Sequence, residues 1–211
     1  MQIHPAPKNG AADLRRYEFI KMDAIDIQLK HAEPLEIDDI LKLHYRYHID
    51  SMTEKEKADG FVTTPFTKDQ MTELINKENG LFIAKKNDVV VAYVMAASWK
   101  FWSVWPLFAF MIKELPNLEY HGNTLSIENS YQYGPICIDK SVRGTGILET
   151  IFEFSKSEMS KRFPILVTFV NKKNERSYQA HKRKLGLDVI QEFEFNGNNY
   201  YEMACLTNEK I

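Results

Sequence analysis

Ile136-Cys137-Ile138-Asp139-Lys140-Ser141-Val142-Arg143-Gly144-Thr145-Gly146-Ile147-Leu148 decides the fold. The stretch runs from a β-rich apolar triplet through a polar turn and two glycines, and then into Ile147, Ile151, Phe154 and Glu158 at helical spacing. A chain that passes from strand through a glycine loop into a helix presents the helix's orphan N–H groups, and the macrodipole adds to their attraction for an anion. Glycine allows an anion to come close to the backbone. The loop therefore reads as a phosphate cradle. No Gly-Lys-Ser/Thr follows, so it is not a P-loop, and the missing third glycine separates it from a dinucleotide fingerprint.

On the N-terminal side, the run from Leu125 to Ile138 has strand propensity, with Gly134-Pro135 inside it. Proline removes a ladder donor, so a bulge or a splay is expected there. On the C-terminal side, Arg162-Phe163-Pro164 closes the helix before a buried-strand run, Ile165 to Val170. Asn174 to Leu185 reads as a helix stopped by Gly186, and a last hairpin turns at Asn196-Gly197. In the first half, Ile27 to Lys30 alternates like a strand, Ile37 to His48 has helical spacing, and Thr67 to Asn76 forms a second helix. Leu81 to Ala84 and Val89 to Met95 form a hairpin about Asn87-Asp88. The expected fold class is α/β, a mixed sheet flanked by helices in the order β-α-α-β-β-β-α-β-α-β-β, in one domain over residues 25–211. Residues 1–24 read as an N-terminal arm of uncertain order.

The 211 residues are 44% hydrophobic with a formal charge of −2, so neither nucleic acid nor an anionic membrane is an expected partner. Cys137 and Cys205 both lie in apolar stretches and read as buried structural thiols. The absence of a signal-like leader points to a cytoplasmic protein. The aromatic window from Trp99 to Ile112 is too short and too interrupted to span a bilayer. It is expected to fill core, to wall an acceptor pocket or to form a homodimer surface. His44 and His48 have zinc-chelating spacing, yet no third ligand is evident and no metal is expected.

Arg143-x-x-Gly146-x-Leu148 resembles the Arg/Gln-x-x-Gly-x-Gly/Ala signature of the GNAT superfamily of N-acetyltransferases, with Leu148 departing at the last position. Asn174, Ser177, His181 and Leu185-Gly186-Leu187 are similar to the segment that follows in that family, and the resemblance covers about residues 25–205. It implies a splayed sheet and an acetyl-CoA-dependent transferase acting on a primary amine, a small molecule or a peptide, by direct attack in a ternary complex. Backbone N–H groups of Ile136, Cys137 and Ile138 would polarise the thioester, and those of Arg143, Gly144, Thr145, Gly146, Ile147 and Leu148 would hold the pyrophosphate. Asn174 would hydrogen-bond the pantetheine arm. Counting forward from Asn174 places His181 at the proton-donor position, whereas counting back from Gly186 places Lys182 there. Tyr178 is a further donor candidate, Glu128 a base acting through water, and Tyr131 or Tyr133 a lining of the acceptor end. A CoA-binding sensor or scaffold without turnover is the alternative from a different class.

Overall fold

The computed structural model describes residues 18–22 and 25–210. Ten strands and seven helices follow one another as β1 (Glu18–Met22), β2 (Ile25–His31), α1 (Ile37–Arg46), α2 (Glu54–Lys57), α3 (Lys68–Glu73), β3 (Leu81–Lys86), β4 (Val89–Ser98), α4 (Trp99–Trp102), α5 (Pro106–Glu114), β5 (Glu119–Tyr120), β6 (Asn123–Thr124), β7 (Ser130–Ile138), α6 (Ile147–Met159), β8 (Ile165–Asn171), α7 (Glu175–Gln179), β9 (Asp188–Phe195) and β10 (Asn198–Leu206) among the described residues. Eight of the strands form one sheet in the order β1-β2-β3-β4-β7-β8-β10-β9. Every neighbouring pair is antiparallel except β7–β8, which is parallel and joined through the crossover helix α6.

Alternation along β4 builds both faces at once. Tyr93, Met95 and Ala97 point into a core shared with Ile40 and Leu43 of α1, Met71 of α3, and Trp99, Trp102, Phe108 and Met111 of α4 and α5. Ala92, Val94 and Ala96 point the other way, into a core with Ile147, Ile151, Phe152 and Met159 of α6. The result is three layers: helices, sheet, helix. The aromatic window is two helices whose rings fill the first face, with Phe108 stacked on Trp102 at 4.9 Å. No helix among the described residues is long and apolar enough to cross a membrane.

Three expectations are corrected. Part of the arm is a strand, since Glu18–Met22 pairs with β2; the rest of residues 1–24 lies outside the described residues. The run from Leu125 does not extend as strand until Ser130, because Ser126 and Asn129 capture the local backbone: Asn129 Oδ1 accepts from Ser126 N at 2.8 Å, and Ser126 Oγ accepts from Glu128 N and Asn129 N at 3.2 Å each. Finally, α7 stops being an α-helix at Gln179 and continues as a π turn over Ala180–Lys184.

The irregularity at Gly134-Pro135 has both expected forms. β7 carries an extra residue against β4, the register shifting between Val94↔Ile136 and Ala96↔Tyr133. On its other edge β7 pairs with β8 only through Ser130↔Ile165, Tyr131↔Leu166 and Gln132↔Val167, after which the two strands part. Thr168 Oγ1 sits at the fork and donates to the Tyr133 carbonyl at 2.7 Å.

Candidate functional site

Where β7 and β8 diverge, one edge of β7 remains paired to β4 while on the other the ladder to β8 has ended, the Tyr133 carbonyl being met only by the Thr168 side chain of β8. A chamber of about 380 Å³ occupies one side of this cleft, lined by Ile136, Cys137 and Ile138 of β7 and by the loop into α6. Gly144 and Gly146 hold φ of 80° and 85°, a left-handed region that side chains disfavour. A Cβ on Gly144 would meet nothing within 4 Å, so the backbone there is open to a ligand. Gly146 caps α6 without a side-chain oxygen. The first-turn N–H groups of the helix are thus left without an intrahelical acceptor.

The Arg143 side chain turns back into the protein. Its Nε donates to the Ile138 carbonyl at 2.9 Å, its Nη1 to the Asp59 carbonyl at 3.0 Å, and its guanidinium lies over the Tyr47 ring at 5.0 Å. Arg143 braces the loop while the backbone faces the chamber. Every residue expected at the cofactor lines the chamber except Thr145, whose hydroxyl donates to the Val142 carbonyl at 2.7 Å. Burial pushes the Cys137 thiol up to about 12, which leaves it a packing group and not a nucleophile.

A second chamber of about 80 Å³ opens on the other side of the fork, lined among others by Thr63, Phe108, Gln132, Gly134, Thr168 and Asn171. Both chambers share a wall of Phe61, Val62, Ile136, Asn174, Ser177 and His181. His181 is 4% exposed. Its Nδ1 lies 2.7 Å from the Ser177 carbonyl, and since a carbonyl only accepts, Nδ1 carries the proton and Nε2 keeps its lone pair. Burial lowers the imidazole's pKa, partly offset by that carbonyl, so the ring is neutral.

The π turn explains the two ways of counting to the donor position. A π turn takes up one extra residue within a helix, so the register from Asn174 is the one that points inward and places His181 at the chambers. Lys182 is exposed, with its ammonium over the Tyr178 ring at 5.8 Å. Two further candidates are not brought to the site. Tyr178 stacks on Tyr201 at 4.2 Å and lines neither chamber, because the helical turn that aims His181 inward aims Tyr178 onto β10. Glu128 is exposed in the Ser126–Asn129 turn before β7, and the six strand residues Ser130 to Pro135, at about 3.3 Å each, lie between that turn and Ile136. Tyr131 and Tyr133 are fully buried on the α6 face, though Tyr133 also lines the second chamber and its ring lies 6.0 Å from that of His181.

A strap invisible to local sequence reading crosses the cleft. Asn174 Nδ2 donates to the Phe61 carbonyl at 2.9 Å, and Asp59 pairs with Lys140 at 2.8 Å and Arg176 at 3.4 Å. The hydrogen bond from Lys140 holds the Asp59 carboxyl below its ordinary range. Only Gly60, a turn signal with φ of 88°, marked this segment in the sequence. His44 Nδ1 meets Tyr93 Oη at 2.6 Å within the core, and His48 Nε2 meets the carbonyl of Thr63, a lining residue of the second chamber, at 3.0 Å.

A mixed sheet that forks beside the bare N-terminus of its crossover helix is the architecture implied by the resemblance of Arg143-x-x-Gly146-x-Leu148 to the GNAT signature. No model of a known protein family matches this sequence, and no curated protein matches it. Solved structures do. A Salmonella typhimurium protein solved with its cofactor acetyl-CoA superposes with a TM-score of 0.56 at 11% identity, over 87% of this chain and 95% of that one. The ribosomal-protein-S18-alanine N-acetyltransferase of Escherichia coli gives the same figures, 0.56 at 11% over 87% and 95%. A GNAT-family acetyltransferase of Streptococcus pneumoniae gives 0.54 at 14%, over 85% of this chain and 98% of that one. At such identities the likeness is one of fold.

Proposed function

We propose that this protein transfers an acetyl group from acetyl-CoA to a primary amine, the two substrates approaching from opposite chambers and reacting directly where the chambers meet. The observation that carries this reading is that junction: an anion-receptive helix N-terminus opens on one chamber, and a buried neutral imidazole stands between that chamber and a second, smaller one.

The chain's own groups fit the cosubstrate. Unpartnered N–H groups at the start of α6 suit the pyrophosphate, the unpaired edge of β7 suits an extended amide-bearing arm, and the apolar Ile136 and Ile138 suit its methylenes. When bound, acetyl-CoA supplies an activated acyl carbon whose C–S bond breaks as a C–N bond to the amine forms. His181 Nε2 receives the proton that the amine must lose, and the resulting imidazolium is placed to return it to the departing sulfur. The Ser177 carbonyl holds the ring in the required tautomer. One side chain thereby serves as base and then as acid, where the sequence offered Glu128 as a separate base beside a donor at His181, Lys182 or Tyr178.

Calorimetric titration with acetyl-CoA tests the first half: one-to-one binding is expected, abolished in Gly146→Trp. Thiol release and a mass gain of one acetyl group on a primary amine test the second. Failure to bind acetyl-CoA would sink the reading; binding without transfer to any amine in a broad panel would favour a sensor.

A further inference from the structure

Residues 49–61 leave the end of α1 and return to it as a loop. Two backbone bonds pin its base, Ile49 N to the Val62 carbonyl at 2.9 Å and Val62 N to the Tyr47 carbonyl at 3.0 Å. None of residues 49–61 is buried, and α2, the helix inside the loop, buries no side chain. Half-buried Met52 leans on the core. A segment with so little buried apolar surface separates from the body of the protein far more easily than a strand leaves the sheet.

The tip of this loop is the strap over the cleft, and polar contacts tie it there. Arg143 Nη1 donates to the Asp59 carbonyl at 3.0 Å, Asn174 Nδ2 donates to the Phe61 carbonyl at 2.9 Å, and the Asp59 carboxylate pairs with Lys140 at 2.8 Å and Arg176 at 3.4 Å. Lys140 and Arg143 belong to the β7–α6 bank, Asn174 and Arg176 to the β8–α7 bank, so the strap joins the two banks across the fork. Gly60 lets the backbone lie close to the second bank, where a Cβ would stand 3.5 Å from Asn174 Oδ1 and 3.7 Å from Arg176 Cδ.

Of these ties, the ion pairs of Asp59 are the ones an anion can take over. Asp59, Lys140 and Arg176 are each about half exposed, and pairs so exposed are weak and screened by salt. Asp59 lines the first chamber together with Arg143 and Arg176, so a phosphate drawn to the start of α6 arrives beside the same cations. Phosphate carries more charge and more acceptor oxygens than a carboxylate, and it repels Asp59 as a like charge.

Taking from the acetyl-CoA reading above only the identity of the anion, we propose that Asp59 is a latch that fills, in the free protein, the place of a cosubstrate phosphate between Lys140 and Arg176. The incoming phosphate expels the carboxylate and frees the strap, and residues 49–61 swing about the pinned base at Val62. Phe61 lines both chambers, so the same movement shifts the wall they share and couples filling of the first chamber to the shape of the second.

Spin labels on Lys55→Cys in α2 and Ser157→Cys in α6, both exposed positions, read the place of the loop by double electron–electron resonance; Cys137 and Cys205 are buried and stay unlabelled. The free protein at low salt is expected to give one narrow distance distribution. Acetyl-CoA should shift or broaden it, S-acetylpantetheine, which has no phosphate, should leave it unchanged, and Asp59→Asn should give the open distribution without any ligand. The gain in affinity of Asp59→Asn, about two- to fivefold at low salt, should appear with acetyl-CoA and be absent with S-acetylpantetheine. Acetyl-dephospho-CoA separates the sources of the phosphate: opening by it supports a latch released by the pyrophosphate, and opening by acetyl-CoA alone supports one released by the 3′-phosphate. An unchanged distribution with acetyl-CoA bound overturns the latch and leaves the transferase reading intact. If calorimetry finds no binding of acetyl-CoA, that reading falls instead and the latch is decided without it. Opening in Asp59→Asn, and in the unaltered protein at about 1 M salt, where the Debye length is about 3 Å, then supports it, and a closed distribution in either overturns it.

Discussion

Glu202 offers the sharpest test of how this fold tolerates a buried polar group. It lies on β10, fully shielded from solvent, between Phe169 on β8 and Gln191 on β9. Oε2 accepts from Gln191 Nε2 at 2.7 Å, and Oε1 has no partner among the described residues. Burial raises the carboxyl from 4.5 to about 7, Glu114 adds to the rise, and the Gln191 hydrogen bond opposes it. In the window between these values the folded state binds a proton that the unfolded state has released. The contribution of this group is therefore fully present below pH 4.5 and is lost as the pH rises through about 7. At about 1.4 kcal/mol per pH unit, the interval amounts to about 3 kcal/mol. Glu202→Gln imitates the protonated form and has no such dependence. Urea unfolding at pH 5 should find the two proteins within about 1 kcal/mol of each other, and at pH 8 the variant should be more stable by about 3 kcal/mol. A difference that stays constant from pH 5 to pH 8 would refute the assignment of a neutral carboxyl to the folded state.

Other tests address the cleft directly. His181→Gln is expected to lower kcat by about 10²- to 10⁴-fold with acetyl-CoA affinity retained, and the acidic limb of the kcat/KM profile, lying below pH 6.5 in the unaltered protein because burial lowers the imidazole, should vanish in the variant. A limb that survives the substitution assigns the base to another group. Asp59→Asn removes a carboxylate that competes for Lys140 and Arg176 at the mouth of the first chamber, and it should tighten acetyl-CoA binding about two- to fivefold at low salt, less at high salt; weaker binding would show that the strap must stay closed. Asn174 makes two separable bonds, accepting from Ser177 N at 3.3 Å as the cap of α7 and donating to the Phe61 carbonyl at 2.9 Å. Asn174→Ser keeps the cap and loses the reach, so it should cost about 1 kcal/mol and Asn174→Ala about 2 kcal/mol in thermal unfolding. Equal losses would mean that the cap contributes nothing.

Features that depend on a few consecutive residues were legible in the sequence. Asn87 and Asp88 both adopt positive φ, 49° and 64°, in a two-residue hairpin turn, as short polar side chains allow. The loop from Arg143 to Leu148 was readable as bare backbone before a helix, because Gly144 and Gly146 take the positive φ that side chains disfavour. Gly134-Pro135 announced the fork because proline cannot complete a ladder. The side chains that meet across the cleft were not readable in this way. Whether His181 or Lys182 points inward depends on a π turn, whose cost is settled by packing of the whole segment on β8 and β10. Glu128 lost its place to hydrogen bonds from Ser126 and Asn129 that outcompeted strand pairing. Phe61 reaches Asn174 across 113 residues of chain, and no local pattern encodes such a contact. Sequence alone determined where a helix starts behind bare glycine backbone, because that needs only a few consecutive residues; the tertiary structure decided which imidazole faces the junction of the two chambers, because burial is a property of the assembled layers.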